Sequence, residues 1–127
     1  MGLRPGLSAQ IELTVGQADT ALDLRSGSVD VLGTPRLIAL CEQATCAATA
    51  GMLGPAETTV GMRVQFDHLA PTPVGHTVTA EAVLEKIEGR RLTFTVSASD
   101  HGGLVGAGRI TRVVVDVERF LKKSAGA

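Results

Sequence analysis

The sequence predicts an α+β domain in which a five-stranded antiparallel sheet wraps around one long helix, at about residues 34–50. Apolar residues recur there at spacings of three and four, as in a helix that packs through one face. From residue 60 onward apolar and polar residues alternate, which is typical of strands with one buried face. A chain of 127 residues suffices for one core, so we expect a single domain over residues 1–127.

The predicted helix begins at Thr34, whose hydroxyl is suited to accept a hydrogen bond from a free N–H of the first turn. Pro35 then takes the first helical position, where its missing N–H costs nothing. Gly51 provides a natural end. The apolar stripe consists of Leu37, Leu40, Cys41, Ala44, Thr45 and Ala48. We expect both cysteines, Cys41 and Cys46, to be small core residues, since no CxxC motif or histidine lies nearby.

Five strands are predicted around this helix. Residues 9–15 alternate and precede the helix, and four more strands follow it up to about residue 117. Short turns at residues 71–75, 88–90 and 100–103 separate these four strands, which predicts an antiparallel meander. Long antiparallel strands with free edges tend to pair with a second copy, so we expect at least a homodimer.

The segments outside these elements are a loop and a tail. Residues 16–33 carry three glycines and little periodicity, which predicts a loop with one short helical turn near residues 20–24. A loop of this length in a compact domain is often functional, so it is a possible lid. Residues 118–127 are interpreted as a polar tail.

Composition excludes several classes of function. The net charge of −1 and the three aromatic residues, all phenylalanine, argue against nucleic-acid binding. No apolar run reaches about 18 residues and no leader is recognised, so we expect a cytoplasmic protein without a membrane partner. Histidines and carboxylates do not show metal-ligand spacing and no Gly-rich loop opens a helix, so no metal or separate cofactor is expected.

Several polar residues lie where chemistry is plausible. Glu42 borders the apolar stripe, eight residues after Thr34, although a solvated helix glutamate has the same pattern. His68 has an ordinary pKa near neutrality and can serve as a base, but a surface histidine at a strand end is the plain alternative. Gly61 within a strand often marks close approach by a ligand or another backbone. Arg90 and Arg91 at a hairpin could hold phosphate or could be merely solvated.

Taken with their spacings, these residues have the pattern of a known family. The pattern comprises Thr34, Glu42, Gly61, the segment His68 to Gly75, the segment Glu88 to Leu92, and Arg112. It resembles the hotdog-fold thioesterases similar to fluoroacetyl-CoA thioesterase, from about Val31 to Phe120. The resemblance implies that Thr34, Glu42 and His68 are catalytic, that Gly61 lies beside the thioester carbonyl, and that Arg112 supports the site. It also implies an active site at a subunit interface.

The resulting hypothesis is an acyl-CoA thioesterase for a short or medium acyl group, with coenzyme A present only as part of the substrate. A hydroxyl or water nucleophile, a base and oxyanion donors are what thioester hydrolysis requires. The alternative is a non-catalytic hotdog module that binds acyl-CoA; a hydratase is a third, weaker alternative. In fluoroacetyl-CoA thioesterase phenylalanines of the lid gate the acyl group, whereas residues 24–29 here contain no aromatic residue, which argues against fluoroacetyl selectivity.

Overall fold

The computed structural model describes residues 2–126, in which one long helix packs on a single antiparallel sheet. The elements are β1 (Ser8–Thr14), α1 (Thr34–Ala48), β2 (Glu57–His68), β3 (Thr77–Glu88), β4 (Arg91–Asp100), β5 (Gly103–Asp116) and α2 (Val117–Ser124). Within the described residues the sheet has five strands in the order β1-β3-β4-β5-β2. The α+β prediction is therefore confirmed.

The core lies between α1 and one face of the sheet, because alternate strand residues point toward the helix. Its largest fully buried side chains include Leu37 and Leu40 of α1 together with Leu84, Leu92, Phe94 and Ile110 of the strands. Each is less than 2% exposed. Burial of such side chains contributes about 1.5–3 kcal/mol each. The helical stripe predicted from the sequence is the set of buried α1 residues.

The prediction of a simple meander was wrong. Only β3, β4 and β5 follow one another as neighbours, whereas β2 pairs with β5 at the far edge of the sheet. Residues 69–76, interpreted as containing a turn at 71–75, therefore cross the sheet from β2 to β3. Thr72 anchors this crossover, since it is fully buried and its hydroxyl donates to Asp100 Oδ2 at 3.0 Å. A short Pro-rich connection looks the same in the sequence whether it turns or crosses.

The start of α1 also differs from the prediction. Gly33 is the N-cap, Thr34 is the first helical residue, and Pro35 lies in the second position, so Thr34 does not cap the helix. The helix ends at Ala48, two residues before the predicted limit, and Gly51 follows in the left-handed region with φ 79°. The Thr34 hydroxyl is thus free of a capping role and forms a tertiary contact, described below.

The loop of residues 16–33 is anchored to the first turn of α1. Its short 3-10 helix covers Gln17–Asp19, earlier in the chain than the turn predicted near residues 20–24. Asp19 Oδ1 accepts from Arg36 Nε at 3.0 Å, and Asp19 O accepts from Gly33 N at 2.9 Å. Gln17 Nε2 donates to Asp30 Oδ1 at 2.8 Å, which ties the two ends of the loop together. The loop therefore lies beside the start of the helix.

Two further expectations are corrected. The segment interpreted as a polar tail begins as the helix α2, which is capped by Asp116, whose Oδ1 accepts from Arg119 N at 3.0 Å. The pattern was missed because this helix has only eight residues and none of them is buried. Cys41 is buried as expected. Cys46 is exposed, since it lies outside the buried stripe of α1.

Candidate active site

Thr34 and His68 meet at the N-terminal end of α1. Thr34 Oγ1 lies 2.7 Å from His68 Nδ1, a hydrogen bond between a helix hydroxyl and the last residue of β2. Burial lowers the pKa of His68 from its ordinary value of 6.5, and the nearby backbone of Ala70 opposes this shift in part. The other ring nitrogen, Nε2, is buried without a hydrogen-bond partner among the described residues. A neutral imidazole beside a hydroxyl is the arrangement that a general base requires.

Glu42 lies in the middle of α1 and is held by Arg112, which belongs to β5. Arg112 Nη1 lies 3.3 Å from Glu42 Oε2, and the guanidinium side chain is only 9% exposed whereas that of Glu42 is 34% exposed. Arg112 is itself fixed by Thr59, since Nε donates to Thr59 Oγ1 at 3.0 Å and Nη2 donates to Thr59 O at 2.9 Å. The arginine thus orients the carboxylate and leaves part of it accessible.

Gly61 leaves room for this carboxylate. A Cβ at Gly61 would lie 2.7 Å from Glu42 Oε2 and 3.7 Å from Arg112 Nη1. Gly61 also pairs with Arg112 across β2 and β5, and the register shifts between Gly61 and Arg63. A bulge of this kind is common beside active sites. The glycine therefore allows the acidic side chain and the strand backbone to approach each other closely.

The structure brings the predicted catalytic residues together in two groups rather than one. Thr34 and His68 form the first group, and Glu42, Gly61 and Arg112 form the second. Eight residues of helix separate Thr34 from Glu42, which corresponds to about 12 Å along its axis. Seven residues of strand separate Gly61 from His68, or about 20 Å. The two groups therefore lie apart along both elements within one chain.

Arg90 and Arg91 lie outside both groups. Arg90 follows Gly89 in the tight β3–β4 hairpin, where its Nη1 donates to Val114 O at 3.2 Å and lies 3.6 Å from Glu57 Oε2. Arg91 is exposed and begins β4. Both therefore lie at the end of the sheet that carries α2.

One contributor to the site was missed by the sequence prediction. Thr59 holds Arg112 through its hydroxyl and its carbonyl, but it is one of many threonines in alternating strands. In the sequence it is an ordinary strand threonine, and only the structure shows that it is buried. Residues 2–126 show no cluster of three histidine, cysteine or acidic side chains arranged to hold a metal ion. No helix in that range is long and apolar enough to span a membrane.

Comparison with known proteins relates this geometry to a family. The family model described as fluoroacetyl-CoA-specific thioesterase, FlK, matches residues 15–118. The fluoroacetyl-CoA thioesterase of Streptantibioticus cattleyicolor is 39% identical over 94 residues, which cover 74% of this chain and 68% of the relative.

Solved structures show the same likeness. A structure of the fluoroacetyl-CoA thioesterase FlK aligns with a TM-score of 0.94 and 32% identity, covering 99% of this chain and 98% of that chain. A variant of FlK in complex with fluoroacetate and CoA aligns with a TM-score of 0.86 and 34% identity, over 93% of this chain and 99% of that one. The chain is therefore a hotdog-fold protein that belongs to the fluoroacetyl-CoA-specific thioesterase family.

Proposed function

We propose that the protein hydrolyses acyl-CoA thioesters with a short or medium acyl group. The observation that carries this proposal is the hydrogen bond between Thr34 and His68, together with a separate carboxylate, Glu42, that a buried arginine orients. A relative that covers most of the chain is a named thioesterase. The proposal needs no metal or separate cofactor, because coenzyme A enters as part of the substrate, and it assigns a cytoplasmic location.

In this mechanism His68 is the base. Its neutral ring accepts a proton from the Thr34 hydroxyl, or from a water molecule that this hydroxyl orients, and later returns the proton to the departing thiolate of coenzyme A. Glu42 lies beside the thioester and either removes a proton from the attacking water or attacks the carbonyl carbon itself, in which case water then hydrolyses the resulting mixed anhydride and restores the carboxylate. The backbone N–H of Gly61, or those at the start of α1, polarise the carbonyl oxygen.

Each active site combines two chains in this proposal. The Thr34–His68 group lies at the end of β2 and the Glu42–Gly61–Arg112 group lies nearer its middle, and β2 is an edge strand. A second β2 strand that pairs antiparallel about a two-fold axis would bring one chain's His68 close to the partner's Gly61. Exposure supports this arrangement, because residues 61–65 are exposed and include Met62 at 47% and Val64 at 40%.

Charges on β2 suggest the register of this pairing. Arg63 and Asp67 are both exposed on an edge strand, and Gln65 lies midway between them. A two-fold axis at Gln65 would place Arg63 opposite the partner's Asp67, and the same pair would form again on the other side of the axis. Opposite charges at facing positions stabilise an antiparallel pair. The same axis places the partner's His68 opposite Met62, which is the neighbour of Gly61.

Mixing two inactive variants tests the shared site. Glu42→Gln and His68→Ala chains are each expected to be inactive, because each removes one group from both active sites of a dimer. Unfolded and refolded together in equal amounts, they should recover about a quarter of parent activity, since half of the dimers carry one intact site out of two. Hydrolysis is followed with a thiol-trapping dye and acetyl-CoA to long-chain CoA substrates.

The controls for this experiment are the two variants refolded separately at the same total concentration. No recovery on mixing, while refolded parent protein regains its activity, would refute a site built from two chains. Absence of hydrolysis by the parent protein on every acyl-CoA would refute the thioesterase proposal itself.

The pH dependence should report the lowered pKa of His68. Because the base must be neutral, kcat/KM is expected to fall as the pH is lowered. The midpoint of this fall should lie below 6.5, the ordinary pKa of histidine. The direction follows from burial, which disfavours the charged ring. A pH profile of kcat/KM for the preferred acyl-CoA measures this midpoint. An acid limb centred above 6.5 would contradict the assignment of His68 as a buried base.

A further inference from the structure

Asp19, in the loop of residues 16–33, joins three segments at the start of α1. Its Oδ1 accepts from Arg36 Nε at 3.0 Å, and its Oδ2 accepts from Gly16 N at 2.8 Å. Its backbone oxygen accepts from Gly33 N at 2.9 Å. One loop residue thus binds the beginning of the loop, the residue before α1 and the first turn of α1. None of these residues belongs to the two groups of site residues described above.

The ion pair between Asp19 and Arg36 compensates a charge in an unfavourable place. Arg36 is the third residue of α1, and a cation is unfavourable at the N-terminal end of a helix, where the peptide dipoles leave a positive charge. The first turn of α1 contains no acidic residue, so the carboxylate comes from the loop. The side chains of Arg36 and Asp19 are 27% and 19% exposed, whereas those of Lys122 and Glu118 are 68% and 83% exposed. Solvent therefore screens the Asp19–Arg36 pair less than an ordinary surface pair.

The loop lies directly against Gly33, the residue that precedes Thr34. A Cβ at Gly33 would lie 2.9 Å from Leu24 Cδ1 and 3.1 Å from Ala21 Cα, closer than side chains normally pack. A rigid, planar peptide bond joins Gly33 to Thr34. Because no space separates the loop from Gly33, a displacement of the loop changes the position of Thr34.

The loop also braces the segment that follows His68. Leu32 N donates to Thr72 O at 2.8 Å, and both residues are buried, at 1% and 0% exposure. Leu32 lies two residues before Thr34, and Thr72 lies four residues after His68. The same loop therefore contacts the neighbourhoods of both partners in the 2.7 Å hydrogen bond between Thr34 Oγ1 and His68 Nδ1.

We propose that Asp19 is a positioning residue, whose carboxylate holds the loop and the first turn of α1 together and so keeps Thr34 Oγ1 within hydrogen-bond distance of His68 Nδ1. The inference rests on the proposed thioesterase function and deepens it. The carboxylate acts through the loop and the first turn of α1, to which its two hydrogen bonds go. Glu42 lies two turns further along α1 and is held separately by Arg112, so its position does not depend on Asp19.

Asp19→Ala tests this role, with Gln17→Ala as its control in the same loop. Gln17 Nε2 ties the loop ends together through Asp30 Oδ1, whereas the Asp19 carboxylate also reaches α1. Asp19→Ala should lower kcat about tenfold and change KM less than about twofold, because a displaced hydroxyl slows proton transfer but not substrate binding. Gln17→Ala should keep the parent kcat. Arg36→Gln removes the same ion pair from the helix side and should reproduce the loss, also if Asp19→Ala does not fold. Equal kcat losses in Asp19→Ala and Gln17→Ala, a loss confined to KM, or no loss would overturn the inference.

Proton NMR of the imidazole rings separates this inference from the proposed function. Burial lowers the pKa of His68 below 6.5, and a looser contact with Thr34 admits water to the ring. The pKa of His68, assigned through the missing signal of His68→Ala, should therefore rise toward 6.5 in Asp19→Ala and keep its parent value in Gln17→Ala. An unchanged titration of His68 in Asp19→Ala would overturn the inference. If the parent protein hydrolyses no acyl-CoA, the thioesterase proposal fails, while this titration still decides whether Asp19 holds Thr34 against His68.

Discussion

Glu42→Gln is expected to lower kcat for acyl-CoA hydrolysis by about 10²- to 10⁴-fold, the usual contribution of a positioned acid–base group. Glutamine preserves the shape of the side chain and an oxygen that can accept from Arg112, so the loss would report the charge of the carboxylate. The melting temperature should change little, since Glu42 is on the border of the helix and partly exposed. Steady-state hydrolysis with a thiol-trapping dye gives kcat and KM.

The matched control for this variant is Glu12→Gln, on the exposed face of β1. It removes the same charge far from both groups of site residues and should retain parent activity. Equal kcat values for Glu42→Gln and the parent protein would exclude Glu42 from the chemistry.

Gly61→Ala is expected to lower kcat by about 100-fold, although it adds a single methyl group. Its Cβ would lie 2.7 Å from Glu42 Oε2, so the carboxylate must move by several tenths of an ångström or more. A displacement near 1 Å in an active site can cost about that factor. If Glu42 takes part in the proposed reaction, the effect should fall on kcat more than on KM, because the methyl group displaces its carboxylate.

Gly27→Ala serves as the control, because a Cβ there would make only an ordinary contact with Ala21 at 3.5 Å. Thermal unfolding of both variants shows whether the change at Gly61 is local. Activity near that of the parent protein in Gly61→Ala would mean that Glu42 has no fixed position during the reaction.

The fold class was predictable because periodicity is a local property. Alternation in β3 and β4 and the three-and-four spacing in α1 are visible in short windows of sequence, and each matches the burial seen in the structure. The order of the strands was not predictable in this way. The pairing of β2 with β5 depends on which strands form the edges of the complete sheet. Residues 69–76 carry no sequence signal that they cross the sheet rather than turn back.

The residues of the candidate site were proposed from the sequence, whereas their arrangement is visible only in the structure. Thr34, Glu42 and His68 were identified through their spacing and a family resemblance, whereas their division into two groups follows from the lengths of α1 and β2. Thr34 illustrates the limit of local reasoning. Its hydroxyl was assigned to the helix start, but it bonds a residue 34 positions away. The hydroxyl of Thr34 bonds His68 instead of a backbone N–H in the first turn of α1.

The start of α1 has a consequence for how this scaffold can diverge. Gly33 caps the helix and Pro35 favours its first turn, so the helix begins without help from the hydroxyl of Thr34. Position 34 is therefore under little constraint from folding, and exchanging its side chain for serine, cysteine or alanine should leave the helix in place. A change of side chain at this position alters the contact with His68 without first rebuilding the protein around it, so this corner of the candidate site can diverge separately from the fold.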